Sequence, residues 1–530
     1  MLDTIILNGK IVDGTGNPWF RADVGIREGR IVQIGCLASE EAGEHIHADG
    51  WIVAPGFIDI HAHSDLTLLV NPLGESKIRQ GVTTETVGHC GMSPAPVTEQ
   101  SRGPLRKMLT FIGADVAWDW RRVGDYLDRV ERNGIALNLV PFVGHVAIRA
   151  AAMGFEDRTP TDAELKRMQT LIAEAFEDGV WGLSAGLIFP PSSYATTEEL
   201  IVLCRIVAEQ GGLYVPHIRS EADRLVDATE EAIEIGRRSG APVEIVHHKA
   251  VGEKNWGKVR RTVQMMEQAR SEGMDVTFDV YPYLAGSCHL SAVLPAWVHD
   301  GGPEAMLRRL STPEDRQRIK TGFPDEWTLA KQEGLFISYV GSERNKRFEG
   351  KEIREIAETL GKDAVEAIMD LILEEKNQVG LLSFNSCDED VDFLLSHPLG
   401  MIGSDGLAIA PYGRLGKGKP HPRYYGAYPR ILGHYVRERG VLSLEEAIRK
   451  MTSMPAQRLG IRDRGLVREG MWADLCVFDP ETVIDRATYD DPHQYPEGIE
   501  YVFVNGQKVI EHGEHTRVLA GKVLRKKREP

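Results

Sequence analysis

The chain has 530 residues, 42% hydrophobic and 26% charged, which is ordinary for a globular protein and too long for one small core. Its 62 basic and 78 acidic residues leave a net charge of −16, which argues against a general nucleic-acid or anionic-membrane surface. No apolar run approaches the roughly 18 residues of a membrane span, Met1-Leu2-Asp3-Thr4 does not open a basic-then-apolar leader, and six scattered cysteines form no CxxC pair, so a reduced, cytoplasmic protein is expected.

The first 54 residues read as short strands. Asn8-Gly9 separates two apolar runs, Thr4 to Leu7 and Lys10 to Val12, and Glu28-Gly29 separates Ala22 to Ile26 from Arg30 to Ile34. Both pairs predict hairpins, because a type I′ turn needs positive φ at its two central residues. The C-terminal end has the same texture, with Ala473 to Phe478 and then Tyr501 to Ile510 turning at Asn505-Gly506. Neither end holds enough strands for an independent domain, so residues 1–54 and 462–530 are expected to join in one small β-sandwich.

Between them, strands and amphipathic helices alternate, as in βα units with parallel strands. Candidate strands are Val53–Ile60, Thr83–Gly88, Ala136–Val143, Val180–Ala185, Leu213–His217, Val243–His247, Val276–Tyr281, Val379–Phe384 and Gly400–Gly403. Helices are expected over Asp162–Asp178, Thr196–Gln210, Ala222–Ser239, Lys258–Glu272, Glu352–Leu360 and Asp363–Glu375. The pattern predicts an α/β fold, a (β/α)8 TIM-like barrel over residues 55–461, with one of the nine strands outside the ring. From about 285 to 341 the alternation fails in a stretch punctuated by Pro and Gly, which reads as an insertion of the kind that shapes pockets at a barrel mouth.

Polar residues cluster where these strands end. His61 and His63 close the first, Cys90 follows the second, and His217 ends Leu213-Tyr214-Val215-Pro216-His217. His247 and His248 end Val243-Glu244-Ile245-Val246, and Asp405 follows the last strand in Gly403-Ser404-Asp405-Gly406. In a parallel barrel the carboxyl ends meet at one mouth. A shared set of imidazole, thiolate and carboxylate donors suits zinc.

The motifs Pro55-Gly56-Phe57-Ile58-Asp59-Ile60-His61-Ala62-His63-Ser64-Asp65, His89-Cys90-Gly91-Met92-Ser93-Pro94, His247-His248-Lys249, Asp279-Val280-Tyr281-Pro282-Tyr283, Gly403-Ser404-Asp405-Gly406 and His421-Pro422-Arg423 span nearly the whole chain. Together they resemble the amidohydrolase superfamily and, within it, the D-aminoacylase (N-acyl-D-amino-acid deacylase) family. The resemblance implies one tightly bound Zn2+ on Cys90, His217 and His247, and a second, weaker site on His61, His63 and Asp405 that Cys90 bridges. It implies hydrolysis of the amide bond of a small-molecule N-acyl-D-amino acid to a carboxylate and a free D-amino acid, with Asp405 as the catalytic base and then acid. Lys249, Tyr281, Ser287 and Arg423 are implied as substrate-binding residues for the α-carboxylate. The Gly- and Pro-rich segment before Arg423 reads as a mobile lid.

Three features depart from the family pattern. Phe189 stands where Tyr is common, so a hydroxyl is missing unless Tyr194 supplies it. His89 stands where Asn is frequent, and the loop from Asp405 to Arg423 is long. Two other readings remain within reach of the sequence. A cyclic amide hydrolase resembling hydantoinases and dihydroorotases, or a dipeptidase, is disfavoured by the lack of a bridging lysine in 136–144 and 180–186. A catalytically silent scaffold relative would require lost ligands, and none is lost. His145 reads as structural, and His289, His397, His421 and His434 as packing or surface residues. An apolar cluster of Leu290, Val293, Leu294 and Trp297 is a candidate wall for a hydrophobic substrate group.

Overall fold

The computed structural model describes residues 1–109, 114–323 and 334–527. Eight parallel strands form a barrel: β1 Phe57–Asp59, β2 Val82–Val87, β3 Asn138–Pro141 continued by Val143–Gly144, β4 Gly182–Gly186, β5 Leu213–His217, β6 Val243–Ile245, β7 Val276–Val280 and β8 Gly400–Ile402. Pairing runs in two arcs, β1-β2-β3 and the second part of β3 through β4, β5, β6 and β7 to β8. A parallel bridge between Ala62 and Gly406 closes the ring between β8 and β1. These strands are buried on both faces, as parallel strands under helices must be, and β2, Val82–Val87, is buried although four of its residues are polar.

The helices form for local reasons. Asp162–Asp178 starts on the capping box of Thr161 with Glu164 and ends at Gly179 in the left-handed region. Its Met168, Leu171, Ile172 and Ala175 face the barrel at 3–4-residue spacing.

Both chain ends pair into one nine-stranded sheet. The seam is antiparallel pairing of Ile52–Pro55 with Leu475–Phe478, and residues from both ends, among them Ile6, Val24, Ile46, Leu475 and Phe503, share one core. The run expected as a single strand over Val53–Ile60 therefore divides at Gly56 between this sheet and the barrel. Only glycine fits there, because a Cβ would meet the Thr83 side chain at 2.2 Å. The Asn-Gly pairs behave differently from one another. Glu28-Gly29 and Asn505-Gly506, all four at positive φ, turn hairpins as expected. Asn8-Gly9 does not. Leu2–Ile11 is one strand with a register shift between Ile6 and Gly9, and Asn8, at φ 61°, donates its N–H to Asp23 at 2.8 Å, so the pair makes a bulge.

The ninth candidate strand, Val379–Phe384, lies outside the ring, at the centre of a three-stranded antiparallel sheet with Ala285–His289 and Leu335–Val340. The segment between β7 and β8 thus extends to Phe384, past the expected end at about 341, and has its own core of residues such as Leu290, Met306, Ile337, Ile356, Ile368 and Leu381. Among the described residues no helix is long and apolar enough to cross a membrane.

Candidate metal centre and substrate cavity

The six predicted ligands meet at the carboxyl ends of the barrel strands. His61 Nε2 and His247 Nε2 each lie 3.5 Å from Cys90 Sγ. Asp405 Oδ1 lies 3.0 Å from His63 Nε2 and 3.7 Å from His61 Nε2. His217 packs edge-on against His247 with ring centroids 4.3 Å apart. Among the described residues three sets of donor atoms are close enough to share an ion, His61 with Cys90 and His247, His61 with His63 and Asp405, and His217 with Glu221 and His247; the expected set of Cys90, His217 and His247 is not one of them.

The backbone is strained to bring them there. Cys90, His247 and Asp405 all have positive φ, at 51°, 36° and 48°, each at a cost on the order of 1–3 kcal/mol. The geometry is held by the neighbours. Asp405 N–H donates to the His61 carbonyl at 2.8 Å and His63 N–H to the Gly406 carbonyl at 2.8 Å, so β1 and β8 zip together beyond their last sheet residues. Gly88 before Cys90 must be glycine, since at φ 83° a Cβ would sit 2.2 Å from the Phe142 carbonyl oxygen. His247 faces inward because its turn, with its N–H on Asp279 Oδ1 at 2.9 Å, ends the strand early. His248 points outward to Thr262 Oγ1 at 2.7 Å.

The electrostatics of these groups call for a cation. Burial, reinforced by the carboxylates of Asp405 and Glu221, pushes the Cys90 thiol well up, so its thiolate is stable only beside positive charge. Both ring nitrogens of His217 are buried without a hydrogen-bond partner among the described residues. Burial holds His217 and His247 well below the ordinary imidazole range, in the neutral form that ligates metals. At His61 burial is outweighed by Asp279 and Asp405, which raise it. At Asp405 burial is outweighed by Arg423, His61 and His63, which keep it ionised. The donor set and its orphaned atoms fit a thiophilic divalent ion.

The predicted carboxylate-binding residues line the same cavity, of about 490 Å³. Tyr281 presents its ring to the Arg423 guanidinium at 4.9 Å and the Lys249 ammonium at 5.5 Å. Arg423 NH1 pairs with Asp405 Oδ2 at 2.9 Å. Its Nε has no hydrogen-bond partner among the described residues. Ser287 comes from the inserted sheet, its carbonyl 3.5 Å from Arg423 NH2. Arg423 does not ride on a lid. It is 2% exposed, heads the buried helix Arg423–Arg430, and takes its backbone position from His421, whose Nδ1 accepts the Arg423 N–H at 3.0 Å and whose Nε2 meets the Ala285 carbonyl at 2.9 Å.

Three further groups escaped the sequence. Glu221, four residues after His217, lies 2.8 Å from His247 Nδ1 and 2.6 Å from Lys249 Nζ. Asp279 was part of a motif without a role, and its Oδ1 also lies 3.3 Å from His61 Nδ1. Beneath the mouth, buried Lys77 binds Asp59 at 2.6 Å and Ser404 at 2.5 Å, tying β1 to the loop that carries Asp405. Only an unusual buried lysine could have flagged this, and a lysine's burial cannot be read from spacing. Among the residues that depart from the family pattern, His89 stacks on His61 at 4.5 Å and its Nε2 bonds Thr86. Phe189 lies edge-on to His217 at 5.3 Å. Tyr194 gives its hydroxyl to the Ala296 carbonyl at 2.9 Å and is not among the cavity-lining residues, so it does not replace the missing hydroxyl. His145 sits between Ser192 and Glu199 as a buried structural group. His289, expected on the surface or in packing, lines the cavity.

A (β/α)8 barrel whose mouth gathers imidazole, thiol and carboxylate groups in candidate metal-holding sets has the architecture of metal-dependent barrel proteins. Residues 44–510 match the amidohydrolase family. Over 522 residues the chain is 36% identical to the D-aminoacylase of Alcaligenes xylosoxydans xylosoxydans, covering 98% of this chain and 97% of that protein. It is also 36% identical over 530 residues to the N-acyl-D-glutamate deacylase of the same organism, covering 99% and 97%. The solved N-acyl-D-glutamate deacylase of Bordetella bronchiseptica, complexed with zinc and a phosphonate inhibitor that mimics the reaction's tetrahedral intermediate, superposes with a TM-score of 0.83 at 35% identity over 99% of both chains. The chain belongs to the amidohydrolase family.

Proposed function

We propose that the protein is a zinc-dependent N-acyl-D-amino-acid deacylase, with Cys90, His217 and His247 holding the tight ion and His61, His63 and Asp405 a second, weaker one. The observation that carries the reading is the placement of two cationic side chains, Lys249 and Arg423, in one cavity beside His63, Cys90, His217, His247 and Asp405, which supplies a metal for an amide carbonyl and a receptor for the carboxylate of the same small molecule.

Bound zinc lowers the pKa of a water toward neutrality and polarises the amide carbonyl. Asp405, flanked by His63 at 3.0 Å and Arg423 at 2.9 Å, takes the proton of the attacking water on its carboxylate and returns it to the leaving amine. Without that return the amine would depart as an anion. Lys249, Arg423, Tyr281 and Ser287 hold the α-carboxylate and so fix the scissile bond over Asp405. Leu187, Ile188, Phe189 and Leu294 line the cavity, which Arg219 and Arg224 also line, and offer an apolar wall to a hydrophobic substrate group. The six free cysteines suit a reducing compartment, in keeping with a cytoplasmic enzyme.

The test is amine release from paired N-acetyl-D- and N-acetyl-L-amino acids by the zinc-loaded protein. Turnover of D-substrates alone is expected. A zinc-loaded protein that hydrolyses neither enantiomer would refute the assignment.

A further inference from the structure

Glu221 makes three contacts with two different parts of the site. Its Oε1 meets both Lys249 Nζ, at 2.6 Å, and His247 Nδ1, at 2.8 Å, and its Oε2 lies 3.7 Å from His217 Nε2. Lys249 Nζ is itself 3.0 Å from His247 Nδ1. An imidazole presents one proton and one lone pair, and here only one arrangement leaves a lone pair for a metal. If Lys249 donated to Nδ1, the proton would sit on Nε2, the nitrogen 3.5 Å from Cys90 Sγ. If Nδ1–H donates to Glu221, Nε2 faces Cys90 unprotonated. The same carboxylate oxygen neutralises an ammonium that would otherwise stand bare beside a dication.

We propose that Glu221 is the positioning residue that couples the two halves of the site, fixing the His247 tautomer for zinc while anchoring Lys249 for the substrate carboxylate. This inference rests on the deacylase reading above, in which His247 is a zinc ligand and Lys249 a substrate anchor. Glu221 lines the cavity, and its carboxylate lies within reach of an ion shared with His217 and His247. Its effect reaches zinc through His247 and substrate through Lys249. The two effects have opposite signs for the two partners, because removing Glu221 strips His247 of its acceptor, whereas removing Lys249 leaves the whole Glu221 charge to His247.

The experiment measures zinc affinity by competition with a chromophoric chelator, without substrate, for the wild type, Glu221→Gln, Glu221→Asp and Lys249→Met. Thermal melts of each zinc-loaded variant check the fold. Glu221→Gln is expected to bind zinc about 10- to 100-fold more weakly, Glu221→Asp to recover part of that loss, and Lys249→Met to bind zinc at least as tightly as the wild type. At saturating zinc, Glu221→Gln should raise KM for N-acetyl-D-methionine more than it lowers kcat, since Lys249 has lost its anchor. Wild-type zinc affinity in Glu221→Gln, or an equal loss in Lys249→Met, would overturn the coupling while leaving the deacylase reading intact. A wild type that binds no zinc would overturn both.

Discussion

The cavity has two unlike halves. On the side of β1, β2, β5, β6 and β8 the wall is polar, strained and cross-tied: three of its candidate ligand residues have positive φ, and two of them, Asp405 and His247, are held by a backbone carbonyl and a carboxylate from other strands. Elsewhere around the cavity, Leu187, Ile188 and Phe189 follow β4 and Leu294 comes from the inserted segment, all with apolar side chains. Strand ends of a barrel are stiff, so they suit groups whose chemistry fails when misplaced by an ångström. Loops and insertions vary without disturbing that frame, so they suit the selection of substrates. Changes to the first half should therefore abolish chemistry or metal, and changes to the second should only redirect it.

The sharpest break should come from Asp405→Ala, which removes the group that moves the proton. We expect kcat to fall about 10²- to 10⁴-fold, with zinc content at the tight site retained, as checked by metal analysis of the purified variant. Metal removal comes next. Because burial and neighbouring carboxylates hold the Cys90 thiol well up, its thiolate gains stability only from a cation. Chelation should therefore lower the melting temperature of the wild type, by an amount corresponding to about 4 kcal/mol when free zinc stood at 1,000 times its Kd. Cys90→Ser should melt at nearly the same temperature with and without chelator in a dye-binding melt.

Smaller effects follow at the carboxylate anchor. Lys249→Met loses charge-assisted hydrogen bonds worth about 1.5–3 kcal/mol, so KM for an N-acetyl-D-amino acid should rise roughly 10- to 100-fold. KM for the matching carboxamide should stay nearly constant, and an equal rise for both would remove Lys249 from substrate binding. The smallest change is expected on the apolar wall. Leu294→Ala should reduce discrimination between large and small hydrophobic substrate side chains by about tenfold or less, with zinc affinity untouched. A loss of zinc in that variant would show that the two halves are not separable.

The polar half was also the legible half. Each of its candidate ligands stands at or just after a strand end with a side chain that an apolar run cannot explain, so His61, His63, Cys90, His217, His247 and Asp405 stand out against Val, Ile and Leu. Their partners do not. Glu221 follows β5 in a loop where a glutamate is unremarkable, and the contacts of Asp279 with His61 and of Lys77 with Ser404 each span more than two hundred positions. The same limit applies to the fold. Val379–Phe384 has the composition of a barrel strand, and only its antiparallel partners reveal that it belongs to the inserted sheet. Asn8-Gly9 and Asn505-Gly506 are the same dipeptide with positive φ at the asparagine in each, yet the first bulges and the second turns, because the neighbouring strand at Ala22 continues past Asn8. Pairing partners, not local preference, decided these cases.

The most direct test of the proposed centre is zinc-edge X-ray absorption of the protein loaded with one equivalent of zinc. A first shell with one sulfur at about 2.3 Å and imidazole nitrogens at about 2.0–2.1 Å is predicted. A shell of nitrogen and oxygen only, in wild-type protein that turns over N-acetyl-D-amino acids, would contradict the assignment of Cys90, His217 and His247 as the tight site.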